Sequence, residues 1–315
     1  MKPASGQSLT EMLFVPGALR TNLGRWLERV STTPPVLGRQ LFFRALQNRH
    51  PAITFDLPCE PPLYVLGTGR SGTHTLARLL ALVPGVQAWH EPMPDLHRLA
   101  LQVYFNPDAD RQIVSEAMLL ARASLWQAAN MAGKRYAESS YHNTFLAPFL
   151  LHMMPGCRFL HITRAPLPFA NSATRFGWYS TPRLAEARIA PRPDTCAAAD
   201  WEARDPFTKS VWLWQEVNRF AKEFLSTLPP GQGLHLRCED IFDADPESLR
   251  LLFALVDSEP PSRRRIDRVL GQKLNAGRYR HGSGSVQEIS AAQREKLQLQ
   301  CRQLALELGY SGVDG

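Results

Sequence analysis

The chain has 315 residues, 44% hydrophobic and 21% charged, with a formal net charge of +7; it is long enough for one large α/β domain or two small ones, and its basic balance favours anionic partners such as nucleotides, acidic glycans or lipid headgroups. No run of about 18 apolar residues appears, no basic-then-apolar leader opens the chain, and the five cysteines stand far apart without a CxxC pair, which argues against a spanning helix, a cleaved signal, a zinc ribbon and a disulfide framework, and for a reducing, cytoplasmic setting. Nucleic acid is not expected as a partner, because the sequence carries neither a basic stripe interleaved with aromatics nor a reading helix.

Residues 1–60 differ from the rest of the chain. Between Met12 and His50 stand Arg20, Arg25, Arg29, Arg39, Arg44 and Arg49 against the single acid Glu28. Two helical stretches, GALRTNLGRWLERV and LGRQLFFRALQNR, flank STTPP. They read either as basic amphipathic helices on an anionic membrane surface, through residues 12–50, or, more simply, as helices packing Trp26, Leu41, Phe42 and Phe43 on the main domain. A boundary is therefore expected between a basic helical extension, 1–60, and a domain at 61–315.

From Pro61 onward strand and helix signals alternate. The apolar run LYVLG predicts a first strand, followed by a short strand at VQAWHE (86–91), then KRYAESS (134–140), CRFLHITR (157–164) and LHLRCEDI (234–241). Helices are predicted over 73–83, 110–132, 143–154, 166–176, 208–227 and 246–256, and a closing helix begins at the serine of SAAQREKLQLQCRQLALELGY. Alternation of this kind predicts an α/β fold, three layers with a central parallel sheet, whose ligands bind at the carboxyl ends of the strands. The Pro/Ala/Arg-rich stretch 180–207 reads as a surface excursion, SRRRIDR (262–268) as a solvated face, and Trp212 and Trp214 as core.

The first strand runs into GTGRSGTHT. Gly67 and Gly72 have the spacing of a Walker loop, G-x-x-x-x-G-K-[ST]. Thr73 occupies the lysine position and His74 the magnesium-hydroxyl position, so both the terminal-phosphate cation and a metal ligand are missing. The N–H groups of residues 70–74 at the start of a helix still suit an anion. Arg70 offers a planar fork for two of its oxygens.

This strand–[RK]SGT–helix loop resembles the 5′-phosphosulfate loop of sulfotransferases that use 3′-phosphoadenosine 5′-phosphosulfate (PAPS), a P-loop NTPase-like fold without a metal. In that family an arginine ends a later strand, a serine stands eight residues on, and the pair holds the 3′-phosphate; here RFLHITRAPLPFANSATRFGWY supplies Arg164 and Ser172. Ala165 stands where the family usually has Asp, and Cys238 in LHLRCEDI replaces a tyrosine of the family's RYEDL strand. VLGQKLNAGRYRHGSG falls where the family carries a basic loop over PAPS, with Lys273, Arg278 and Arg280 as candidates, and the final ELGY is also family-like. The resemblance spans residues 61 to about 310.

The resemblance implies a donor site of Arg70, Ser71, Gly72, Thr73, His74, Arg164 and Ser172, with PAPS as donor and no metal, and a hydroxyl acceptor, with a carbohydrate or lipid-linked glycan favoured. A hydroxyl needs a general base. Glu91, in the loop after VQAWH, is the first candidate and His90 the second; His74 and His142 are also in reach of the strand ends. Ser139 and Ser140 either face the sulfate or cap the next helix. Two rival readings stand beside this one: a kinase-like phosphotransferase with a variant Walker loop, and a nucleotide-binding regulator without chemistry. The sequence does not set the oligomeric state.

Overall fold

Alternating residues of the strands face two different cores, and that alternation builds the layers. The computed structural model describes residues 56–272 and 289–314, apart from the Arg183 side chain. Leu57–Glu91 and Leu96–Gly315 make up one compact unit; Met1–Asp56 and Pro92–Asp95 fall into a second. The expected helices of residues 12–50 and the candidates Lys273, Arg278 and Arg280 lie outside the described residues.

Five strands form one parallel sheet: β1 (Leu63–Leu66), β2 (Val86–His90), β3 (Arg135–Ser139), β4 (Arg158–Thr163) and β5 (Gly233–Arg237), in the order β2-β3-β1-β4-β5. The described helices are α1 (Thr73–Leu80), α2 (His97–Phe105), α3 (Arg111–Met131), α4 (Asn143–Met153), α5 (Pro166–Arg175), α6 (Pro182–Glu186), α7 (Pro206–Ser226), α8 (Cys238–Phe242), α9 (Pro246–Ala254), α10 (Arg263–Leu270) and α11 (Ala291–Glu307).

β1 is central and buried at every position, as a continuous apolar run in a parallel sheet should be. Its residues divide by the strand's period of two. Leu63 and Val65 join Leu160, Ile162 and Leu236 in a core with α1, α9 and α10. Tyr64 and Leu66 join Tyr136 and Phe159 in a core with α2, α3 and α4. A third cluster packs α5, α7 and α11 together, with Trp178, Trp214 and Tyr310 buried in it. The three-layer α/β arrangement is thus the one expected.

One buried polar cluster within these layers is closely paired. Arg122 of α3 forks onto Glu138 of β3, Nε to Oε2 at 2.7 Å and Nη2 to Oε1 at 2.9 Å, and the Tyr136 hydroxyl donates to Oε2 at 2.7 Å. Both charged side chains are almost wholly buried, and the fork saturates one edge of the guanidinium.

The last expected strand is too long by four residues: β5 stops at Arg237, and Cys238–Phe242 is helical. Glu239 and Asp240 in that first turn suit a helix start, and Arg237 closes onto Asp240 with two bonds of 2.8 and 2.6 Å. The closing helix begins where expected, with a capping box between Ser290 and Gln293. SRRRIDR forms most of α10, burying Ile266 and Val269 and leaving its arginines outside.

Connections from β1 and β4 diverge, α1 joining one core and α5 another. In an open parallel sheet such a divergence leaves a crevice beyond the carboxyl ends of the two strands. The loop 67–72 and Arg164 open there.

Candidate active site

The loop between β1 and α1 is held by its own small residues. Gly67 leaves the strand so close to β4 that a Cβ would stand 2.5 Å from the Ile162 carbonyl oxygen. Its N–H donates to Thr144 Oγ1 at 2.9 Å, and that hydroxyl donates back to the Gly67 carbonyl at 3.1 Å. The Thr68 hydroxyl donates to the Gly69 carbonyl at 2.8 Å and lies 2.8 Å from Ser71 Oγ. Ser71 also donates to Gly69, at 3.0 Å, and is fully buried. Its hydroxyl therefore braces the loop, and only its backbone N–H is left to meet a ligand.

Gly72 is the N-cap of α1 at φ 82°, where a side chain would be strained and would meet the Phe242 ring at 3.0 Å. No side chain caps this helix. Its first N–H groups thus stand at the crevice with the positive end of the helix dipole behind them. Thr73 is buried, and its carbonyl accepts from Ser139 Oγ at 2.8 Å, which ties the start of α1 to the tip of β3.

Arg70 takes the left-handed conformation, φ 53°. Its Nε donates to Ser172 Oγ at 3.2 Å, and its guanidinium lies 4.7 Å above the Phe176 ring. Arg164 donates from Nη1 to the Arg70 carbonyl at 3.1 Å. The two expected anchors, one in the loop and one after β4, therefore meet. Burial lowers the pKa of Arg70, followed by the charges of Arg164, Arg175 and Arg188; Glu91 acts in the opposite sense. Among the described residues neither Arg70 nor Arg164 has a carboxylate within ion-pair distance.

The backbone of Arg164 is fixed on both sides. Trp214 Nε1 donates to its carbonyl at 2.7 Å. The next N–H, of Ala165, donates to Glu239 Oε1 at 2.9 Å, and the Tyr310 hydroxyl donates to Glu239 Oε2 at 3.1 Å. Tyr310 in turn lies 2.9 Å from Thr163 Oγ1. Glu239 thus brings a carboxylate to the position after Arg164, where the side chain is only a methyl. Trp214 is core, as expected, and it is also a support for Arg164.

The base candidates gather at the ends of β2 and β3. The carbonyl of Ser139 accepts the Glu91 N–H at 3.1 Å and His90 Nδ1 at 3.0 Å. A carbonyl only accepts, so Nδ1 carries the hydrogen and Nε2 of the neutral ring keeps its lone pair. The carboxylate of Glu91 is exposed, on a residue with φ 44°. His74 stacks on His90, ring centroids 4.8 Å apart and 8° from parallel. Burial, then His90 and Arg78, lower its pKa.

His142 is buried at the N-cap of α4, beside Tyr141, with Ser140 Oγ 3.2 Å from its Nδ1. Ser140 also accepts the His142 N–H at 3.3 Å. Ser140 thus turns onto His142 without capping α4, which has no side-chain cap, while Ser139 holds α1. The sequence reading missed Tyr141, Trp178 and Arg188. Around Gly69, a Cβ would touch the Trp178 ring at 3.3 Å and the Tyr141 ring at 3.6 Å.

The arrangement can bind an anion with several oxygens and bring a base to its edge. A profile of the sulfotransferase family matches residues 61–259 of the chain. No curated protein matches it. Among solved structures it is similar to the sulfotransferase STF9 from Mycobacterium avium, at 14% identity and a TM-score of 0.53, covering 88% of this chain and 84% of that one. It is also similar to mouse sulfotransferase SULT7A1, solved in complex with PAP, at 14% identity and a TM-score of 0.48, covering 80% of this chain and 89% of that one. The first of these likenesses extends to the fold: a five-stranded parallel sheet with a P-loop-like turn after its central strand.

Proposed function

The chain belongs to the sulfotransferase family, and from that premise we propose that it transfers a sulfuryl group from PAPS to the hydroxyl of an acceptor, releasing adenosine 3′,5′-bisphosphate. The observation that carries this reading is the meeting of Arg70, Arg164 and Ser172 at one crevice, through bonds of 3.1 and 3.2 Å. The residues present fit the donor. Two guanidinium groups without carboxylate partners among the described residues stand beside an uncapped helix start, and the glycines at 67 and 72 leave room that a Cβ would fill.

The donor supplies an activated sulfuryl group whose departure leaves charge on the 5′-phosphate. Arg70 and the N–H groups of residues 70–74 hold that phosphate and stabilise the growing charge. Arg164 and Ser172 hold the 3′-phosphate. Ser71 and Gly72 contribute backbone, and Thr73 and His74 flank the 5′-phosphate at the start of α1. Glu91 takes the acceptor's proton; the bond from its N–H to Ser139 sets where it stands. His90 is the second candidate, with Nε2 free to accept. The Walker lysine and hydroxyl positions hold Thr73 and His74, so the reading assigns no role to a metal.

Chemistry is assigned to the 61–315 segment, with 1–60 as a basic extension. The acceptor is read as a carbohydrate, a lipid-linked glycan or another small hydroxyl compound. Among the described residues no helix is long and apolar enough to cross a membrane; the reading is of a cytoplasmic enzyme, with residues 12–50 able to touch a membrane surface.

Calorimetric titration with adenosine 3′,5′-bisphosphate and with ATP, each with and without magnesium, tests the donor. Tight, metal-independent binding of the bisphosphate is expected. Preference for ATP with magnesium would point instead to a kinase-like phosphotransferase.

A further inference from the structure

The crevice holds one more cation than this donor site uses. Arg188 lies in the stretch 180–207 and rests against two rings, its guanidinium carbon 4.0 Å from the Trp178 ring centroid and 4.3 Å from that of Tyr141. The two ring centroids are 6.5 Å apart, so both rings lie against the cation at an angle to each other, and its N–H groups make its hydrogen bonds. Nη1 donates to the Ala187 carbonyl at 2.7 Å and to the Tyr141 hydroxyl. Nε is buried and has no partner. Among the described residues no carboxylate pairs with Arg188.

The position of this clamp separates it from the nucleotide anchors. Arg164 and Ser172 follow β4; Tyr141 follows β3, on the side of the sheet where β2 delivers Glu91 and His90. Trp178 and Tyr141 both face Gly69, the residue before Arg70. Ala187 and Ile189, on either side of Arg188, also wall a small cavity beside Thr68 that His97 and His142 complete. Arg188 thus stands over the loop on its acceptor side.

A guanidinium with an unpartnered Nε recognises a carboxylate, because two of its N–H groups point the same way in one plane. Its charge also stands near Arg70, so an anion there would relieve part of the repulsion between the two. Resting on the reading of the chain as a PAPS-dependent sulfotransferase, we propose that Arg188 recognises a carboxylate of the acceptor, so that the acceptor is a hydroxyl compound bearing a carboxylate.

The test uses the full chain saturated with adenosine 3′,5′-bisphosphate, and the paired probes methyl β-D-glucuronide and methyl β-D-glucoside, with 4-hydroxybenzoate and 4-hydroxybenzyl alcohol as a second pair. Ligand-observed saturation-transfer NMR gives an affinity for each probe with the parent protein, Arg188→Lys and Arg188→Met. In at least one pair the carboxylate probe is expected to bind more tightly by about tenfold, the scale of one charged hydrogen-bond pair. Arg188→Met should erase that preference and Arg188→Lys should keep part of it, with bisphosphate affinity within about twofold of the parent in both. No preference in the parent for either pair, or a preference that Arg188→Met leaves intact, overturns the proposal. A clamp that only holds the 187–189 segment would lower thermal stability in Arg188→Met and leave the preference unchanged. Failure of the parent to bind the bisphosphate overturns the donor reading instead, and is seen before any acceptor probe is added.

Discussion

Arg164 donates from Nη1 to the backbone carbonyl of Arg70, 3.1 Å away and 94 residues earlier in the chain. The cation that follows β4 therefore helps to set the left-handed backbone of the cation in the loop, φ 53°. An arginine in that conformation is strained by about 1 kcal/mol or more and needs its surroundings to hold it.

Arg70→Ala and Arg164→Ala are each expected to weaken adenosine 3′,5′-bisphosphate binding by about 10- to 100-fold, the scale of charged hydrogen bonds. Because one supports the other, the double variant should lose less than the product of the two. Titration calorimetry of the three variants closes the cycle. Strict additivity would mean that the Arg164–Arg70 bond does not shape the loop.

Glu91→Gln is expected to keep bisphosphate affinity and to lower kcat by about 100-fold or more, within the usual range for a general base. If turnover is unchanged, His90 takes the role, and His90→Gln should then be the inactive variant. His90→Asn is the matching control, because its amide can still donate to the Ser139 carbonyl that Nδ1 holds at 3.0 Å while the Nε2 lone pair is lost.

Glu138 is buried with Arg122 and Tyr136, and it is followed directly by Ser139, which ties β3 to α1. Glu138→Ala leaves Arg122 buried and without its acid, a change that costs about 3–5 kcal/mol. Chemical denaturation should show that loss. Arg122→Met with Glu138→Leu should recover most of it, because removing both charges removes the desolvation penalty. A double variant no more stable than Glu138→Ala would show that the fork itself holds the strand.

His161 is buried between β4 and α7, with Nε2 3.0 Å from Asn218 Oδ1. Burial, then the neighbouring His235, brings its pKa down to about 3, against an ordinary value of 6.5. Burial and Arg237 bring His235 down to about 4. Both groups are lowered, so below pH of about 6.5 the unfolded chain takes up protons that the folded chain refuses. Stability is expected to be insensitive to these groups above that pH and to fall as pH drops from about 6.5 towards 4. The slope is up to about 1.4 kcal/mol per pH unit for His161. Urea denaturation at pH 7, 6 and 5 measures it, and His161→Gln should flatten it. An unchanged slope in that variant would assign the acid limb to other groups.

The loop and its anchors were legible in the sequence because each signal is local. A buried apolar run marks β1, glycines mark the positions at 67 and 72 where a side chain would collide or strain, and Arg164 and Ser172 share one strand-to-helix joint. The last strand was read four residues too long because no glycine or proline breaks the chain between Leu234 and Ile241, while the turn is set by Arg237 reaching Asp240. The supports of the site were not legible. Trp214 reaches Arg164 across 50 residues, and Arg188 reaches Tyr141 across 47. Such closures depend on how helices pack, and no spacing in the sequence announces them.

The crevice has a further consequence through its charge. Arg70, Arg164 and Arg188 crowd one opening, and none of them has a carboxylate within ion-pair distance among the described residues. Mobile ions damp that mutual repulsion, since at physiological ionic strength the screening length is about 8 Å. Adding simple salt should therefore raise the melting temperature of the ligand-free protein. The same salt should weaken nucleotide binding, and it should stabilise the saturated complex far less, because the ligand's own negative charge has already replaced the counterions.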